Sequence, residues 1–184
     1  MTIEISPLVP GIVAETAAAR ISIAPMRGRL SVRTRGNVAA LATALGLNLP
    51  DRIGERTSAG AIEAIRLGPD EWTVLAPLDN ITDLAASCAR LAADHPHSLV
   101  DISGREVTLL IEGPKAAELL TLGCPRDIET ILPGQGRRTL FDGATVVLWR
   151  DDKDHFRVDV WNSFASHVAQ LLETGSRELA AESA

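Results

Sequence analysis

The strongest constraint in these 184 residues is a hydrophobic pattern that runs twice in the same order. Arg29 to Thr34 alternates, with Leu30 and Val32 on one side and Arg29, Ser31 and Arg33 on the other, as in a half-buried strand. Asn37 is a good helix N-cap; Val38, Leu41 and Leu45 then share one helical face, and Gly46 ends the helix. Ile62 to Leu67 and Trp72 to Ala76 form a hairpin around the turn Gly68-Pro69-Asp70-Glu71. Asn80 caps a second helix, in which Ile81, Leu84, Ala85, Cys88 and Leu91 recur at helical spacing.

The second half repeats this order. A strand at 106–112 is followed by a helix at 114–122, which Gly113-Pro114 opens and Gly123 and Pro125 close. Arg137 to Phe141 is a short strand that Asp142-Gly143 turns into the hairpin at 144–160. The last helix spans 163–174, carries the stripe Phe164, Val168, Leu171 and Leu172, and stops at Gly175. Between the halves, Leu99 and Val100 lie in a strand that Ser103-Gly104 turns into the next one.

Two β-α-β-β-α halves predict an α+β fold of two layers, each half laying two helices on one face of a sheet, with pseudo-two-fold symmetry. One globular domain is expected over 29–175, with repeat halves 29–93 and 98–175. Residues 47–60 read as a polar loop. Residues 1–28, with Pro7, Pro10, Gly11, Pro25 and Gly28, read as an extended arm lying across a surface. Residues 176–184 are expected to fray.

Composition narrows the function classes. The net charge of −6 argues against binding a phosphate backbone, which needs clustered cations. The start of the chain shows no basic segment followed by an apolar run, and no stretch reaches the length of a membrane span, so a cytoplasmic protein is expected. Of 18 basic residues only Lys115 and Lys153 are lysines. The rest are arginines, whose planar forks suit ion pairs and interfaces. Cys88 and Cys124 have neither disulfide-framework nor zinc spacing.

No chemical constellation stands out. His95 and His97 lie in a loop without a completing ligand set. Ser103 and Asp101 lack a nucleophile elbow. Gly134-Gln135-Gly136 is half a phosphate loop at most. No catalytic, cofactor-binding or metal residue is therefore assigned. Trp72 belongs in the core. Trp149 and Trp161, bordering the second hairpin, and the pair Arg137-Arg138 are the candidate partner-interface residues.

An ordered set of short motifs adds a resemblance. It comprises Leu67-Gly68-Pro69-Asp70-Glu71-Trp72, Leu99-Val100-Asp101-Ile102-Ser103 with Arg105, and Gly113-Pro114 with Ala117. Gly123-Cys124-Pro125 with Asp127, Gly136 with Arg138-Thr139, and Ser163-Phe164-Ala165 complete it. Together they span about residues 25 to 173 and resemble the gamma subunit of heterotetrameric sarcosine oxidase. Members of that family often carry His after the Ser of the central turn; Gly104 stands there, so no role transfers to it.

The resemblance implies an accessory, non-catalytic chain. The complex oxidatively demethylates sarcosine to glycine, makes hydrogen peroxide and passes the one-carbon unit to tetrahydrofolate. FAD, FMN, NAD, zinc and tetrahydrofolate are then expected on the alpha, beta and delta subunits, with alpha the main partner. The family also resembles the folate-binding region of the glycine-cleavage T-protein. A stand-alone folate-dependent aminomethyl carrier is the alternative, although the T-protein needs further domains that 184 residues cannot hold.

Overall fold

The computed structural model describes residues 8–182. It contains eleven strands in two antiparallel sheets and four α-helices among the described residues. In chain order the strands are β1 (Gly11–Glu15), β2 (Arg20–Ile23), β3 (Gly28–Thr34), β4 (Arg56–Ala59), β5 (Ile62–Gly68), β6 (Glu71–Ala76), β7 (His97–Asp101), β8 (Glu106–Glu112), β9 (Gln135–Phe141), β10 (Ala144–Asp152) and β11 (His155–Trp161). The helices are α1 (Ala39–Leu45), α2 (Ile81–Ala89), α3 (Ala116–Thr121) and α4 (Asn162–Ala181).

One sheet runs β4-β5-β6-β3-β7 and the other, read from its far edge, β9-β10-β11-β8-β2-β1. Position by position the orders correspond, except that the slot of β7 is filled in the second sheet by β2. The first half continues past α2 into β7, which pairs with β3. The second half ends in α4, so the N-terminal strand β2 takes the matching place beside β8. Ile21, facing Ile111 in that pairing, is fully buried. The stretch 11–23, expected as a surface arm, is therefore a hairpin inside the second sheet, because that sheet needs a strand its own half does not supply.

Strand alternation splits each sheet into two unlike faces. In β11, Phe156, Val158 and Val160 enter one core with Leu119 and Leu120 at α3 and Val168 and Leu172 on α4. Leu30, Val32, Trp72 and Val74 enter another with Leu41 and Leu45 of α1 and Ile81 and Cys88 of α2. The opposite faces of the two sheets meet over Ile65, Leu67, Leu75, Val147 and Trp149. Each half is thus two-layered as its periodicity predicts, but the whole is stacked helix, sheet, sheet, helix rather than as two layers.

Other differences have local causes. The Ser103-Gly104 turn does not make a hairpin; it carries the chain from β7 in one sheet to β8 in the other. That moves 97–101 from the second half to the first. The polar loop at 47–60 contains β4, an edge strand with too little apolar content to stand out. Helix α4 does not stop at Gly175 but runs to Ala181, burying Ser176 and Leu179. Gly175 is the point where α3 crosses: a Cβ there would lie 2.5 Å from Leu122 Cδ1. The expected cap at Asn37 holds in part, its side chain accepting the Ala39 N–H at 2.8 Å while the helix itself begins at Ala39.

Candidate functional site

The densest grouping of polar side chains lies on the facing surfaces of the two sheets. Trp149 is at its centre. It projects from β10 toward the first sheet because Val146 and Leu148, its neighbours in alternation, point to the α3–α4 core. Its indole is fully buried, and its Nε1–H donates to Asp159 Oδ2 at 2.7 Å. The guanidinium carbons of Arg157 and Arg56 sit 4.7 and 5.1 Å from its ring centroid.

Two ion clusters flank the indole. On one side Arg29 from β3 reaches across to β8 and β11, with Nη2 2.8 Å from Asp159 Oδ1 and Nε 3.2 Å from Glu106 Oε2. Thr108 donates its hydroxyl to Asp159 Oδ1 at 2.5 Å. On the other side Glu63 from β5 receives Arg157 from β11 in two bonds of 2.9 and 3.0 Å, and also Arg56. Asp151 closes the cluster, 2.7 Å from Arg157 Nε and 2.8 Å from Arg56 Nη2. Burial works to raise the Glu63 carboxyl, but the hydrogen bonds and charges of Arg157 and Arg56 outweigh it and hold Glu63 below its ordinary range.

Arg138 and Arg137 belong to the same seam. Arg138 forks onto Glu71 at the start of β6, with bonds of 2.9 and 2.5 Å. That hydrogen bonding lowers the Glu71 carboxyl. Arg137 donates to the Gly136 carbonyl at 2.7 Å and lies over Gly54, where a Cβ would overlap its guanidinium. Burial lowers the Arg137 guanidinium, and nearby Arg126 adds to the effect. Glu55 and Gln135 form a bridge beside it.

The four residues singled out in the sequence therefore divide. Trp149 is enclosed between the sheets, so it has no surface to offer a partner; this corrects its assignment as an interface anchor. Arg138 is engaged by an intrachain carboxylate. Trp161 is 46% exposed at the end of β11, with Arg105 stacked 5.6 Å from its centroid, and keeps a face toward solvent. Ser103 is a structural hydroxyl: it donates to Asp101 Oδ1 at 2.5 Å and accepts the Arg29 N–H at 2.9 Å, fixing the crossing between sheets. Sequence reasoning missed Arg29, Glu63, Arg157 and Asp159. The available signal was charge at inward positions of otherwise apolar strands.

Among the described residues no group of three or more His, Cys, Asp or Glu side chains is placed to hold a metal ion. Cys88 and Cys124 are both buried and free. No helix among the described residues is long and apolar enough to cross a membrane. The arginines and carboxylates of the seam are matched to one another, which suits joining two sheets and leaves little free charge for proton transfer.

No protein-family model matches this sequence. Individual relatives do. The chain is 31% identical over 167 residues to sarcosine oxidase subunit gamma of Corynebacterium sp. strain P-1, covering 88% of this chain and 80% of that one. It is 31% identical over 163 residues to the gamma subunit of an Arthrobacter species, covering 87% and 79%. In structure it is similar to a chain of heterotetrameric sarcosine oxidase from Corynebacterium sp. U-96, with a TM-score of 0.80 at 26% identity over 92% of this chain and 89% of that one. It shares its fold with glycine cleavage system aminomethyltransferase T from Bartonella henselae, TM-score 0.66 at 20% identity, covering 85% of this chain and 46% of that one. The chain belongs to the family of gamma subunits of heterotetrameric sarcosine oxidase.

Proposed function

We propose that this chain is an accessory subunit that contributes contact area and shape to the complex while bond-making takes place on its partners. The observation that carries this reading is the fate of its polar side chains: the buried arginines and carboxylates pair with one another across the two sheets. On this reading FAD, FMN, NAD, zinc and tetrahydrofolate are held by the alpha, beta and delta subunits, alpha is the main partner, and the complex demethylates sarcosine in the cytoplasm. Trp161, half-exposed beside Arg105, is the remaining aromatic anchor for a partner contact. The matching strand orders support a duplicated origin with pseudo-two-fold symmetry.

Expressing the alpha, beta and delta subunits with and without this chain tests the reading. Omission is expected to leave the complex incompletely assembled and its sarcosine turnover reduced. Full assembly and full turnover without the chain would overturn it, as would turnover of a methylated amine by the lone chain. The folate-carrier alternative predicts tight, stoichiometric tetrahydrofolate binding by the isolated chain; the accessory reading predicts none.

A further inference from the structure

The two sheets end in four outer strands, and three of these carry a device against further pairing. β1 has a bulge between Ile12 and Ala14. β9 carries Arg137 and Arg138, and its first residues already meet the loop before β4, through the Glu55–Gln135 bridge and the Gly136 N–H, which donates to the Gly54 carbonyl at 3.0 Å. β4 is the shortest of the four and carries Arg56. Bulges, short length, basic side chains and covering loops all keep an edge strand from pairing. β7 has none of them. It runs His97-Ser98-Leu99-Val100-Asp101 in unbroken register with β3, and holds no Lys, Arg or Pro.

The register fixes which main-chain groups β7 offers. The Ile102 N–H donates to the Arg29 carbonyl at 2.8 Å, so in this antiparallel ladder Val100 and Ser98 bond to Ser31 and Arg33. His97, Leu99 and Asp101 then point their N–H and C=O groups away from β3. None of these main-chain groups has a hydrogen-bond partner among the described residues. Val100, on the opposite side-chain face, is 51% exposed. Leu99 is partly buried against the core under α1 and α2.

This edge is complementary to itself. Set antiparallel to a second β7 about a two-fold axis at Leu99, it brings Leu99 onto Leu99, and His97 of each copy onto Asp101 of the other. These are the outward-bonding residues, so every N–H meets a carbonyl. Centring the axis on Ser98 or Val100 instead leaves one outward residue of each copy unpaired. The Leu99 pair continues the core under α1 and α2 across the axis, and Val100 meets Ser98. Asp101, the only carboxylate on the strand, faces an imidazole and not its own copy.

We infer that this chain pairs with a second copy of itself through β7, joining the five-stranded sheets of the two copies edge to edge. Strand addition of this kind takes affinity from main-chain bonds and specificity from the side chains beside them. The inference concerns copies of this chain, and it stands or falls apart from the subunit reading.

The test uses the lone full chain. Sedimentation equilibrium over rising concentration is expected to show a monomer–dimer equilibrium. Amide hydrogen exchange should slow at His97, Leu99 and Asp101 as the dimer forms, and should be slow at Ser98 and Val100 at every concentration. His97→Glu sets a carboxylate against Asp101 at both ends of the contact, so its association constant is expected to fall roughly tenfold or more. His97→Lys should associate at least as tightly as wild type. Both variants lose the contact of His97 Nδ1 with the His95 carbonyl at 2.7 Å, so their difference reads the contact between copies. A chain still monomeric at about 1 mM would overturn the inference. So would a dimer that leaves the three outward amides fast, or equal association of the two variants. Slow exchange at those amides in the monomer would assign the edge to a contact within the chain and overturn it too.

Discussion

The outer cores and the seam between the sheets are built on opposite principles. Beneath each helical layer the contacts are apolar and mostly aliphatic: Leu109, Ile111, Leu119, Val158 and Leu172 on one side, Leu30, Val32, Leu41 and Leu45 on the other. Each such side chain, fully buried, contributes about 1.5–3 kcal/mol without demanding one geometry. The seam has few apolar side chains and instead orders Arg29, Arg56, Arg157 and Arg138 against Asp159, Glu106, Glu63 and Glu71 around one indole. Buried ion pairs add little net stability, because desolvation offsets attraction, but removing one partner is costly. The difference teaches that the cores hold each half together while the seam sets how the halves meet. It also gives the arginine-rich composition a physical use, since a lysine cannot fork onto two oxygens.

Removing the hub should separate the two regions most sharply. Trp149→Ala deletes the largest side chain of the seam and leaves Asp159 without its indole donor. We expect a loss of about 3–5 kcal/mol in urea denaturation. A loss near that of a surface substitution would mean that the sheets do not depend on the seam.

The next largest effect is expected from Glu63→Ala, which leaves Arg157 and Arg56 with only the half-exposed Asp151 between them; about 3 kcal/mol is expected. The same carboxylate sets an acid limit. Glu63 and Glu71 are both held below their ordinary value of 4.5. For a lowered carboxyl the stabilisation is complete above that ordinary value and is lost as pH falls through the folded-state value. Denaturation midpoints should therefore fall on acidification below about pH 4.5, and Glu63→Gln should flatten the slope. An unchanged slope would place the acid sensitivity elsewhere.

A smaller effect sharpens the seam's geometry. A Cβ at Gly136 would lie 2.6 Å from Ile65 Cδ1 and 2.8 Å from the Leu148 carbonyl. Gly136→Ala should cost about 1–3 kcal/mol by overpacking. Tolerance of alanine there, read from the same denaturation curves, would show that the sheets can move apart.

Much of the fold is legible in the sequence, for reasons that are local. The hairpin around Gly68-Pro69-Asp70-Glu71 and the stripes of α2 and α4 depend on neighbours a few residues away, and periodicity reports those. What escaped depends on distant pairing. Ile21 and Ile23 look like part of a Pro-rich lead, and only β8, far along the chain, makes them a strand. Gly175 carries a helix-stop signal, yet helix packing against Leu122 is what requires a residue without a side chain there. Trp149 reads equally well as an anchor on a surface or a hub inside; the charged alternation at Arg157 and Asp159 shows that the adjoining strand faces a polar interior, but not what lies opposite. The ordered motifs carry the resemblance because they sit at turns and helix ends, where local backbone geometry restricts the residue type.

The central claim is that the seam closes within this chain, without a partner. Hydrogen–deuterium exchange on the lone chain and on the assembled complex tests it directly. Strands β5 and β10 should be protected to the same degree in both. Slow exchange of β5 and β10 that arises only on assembly would contradict it.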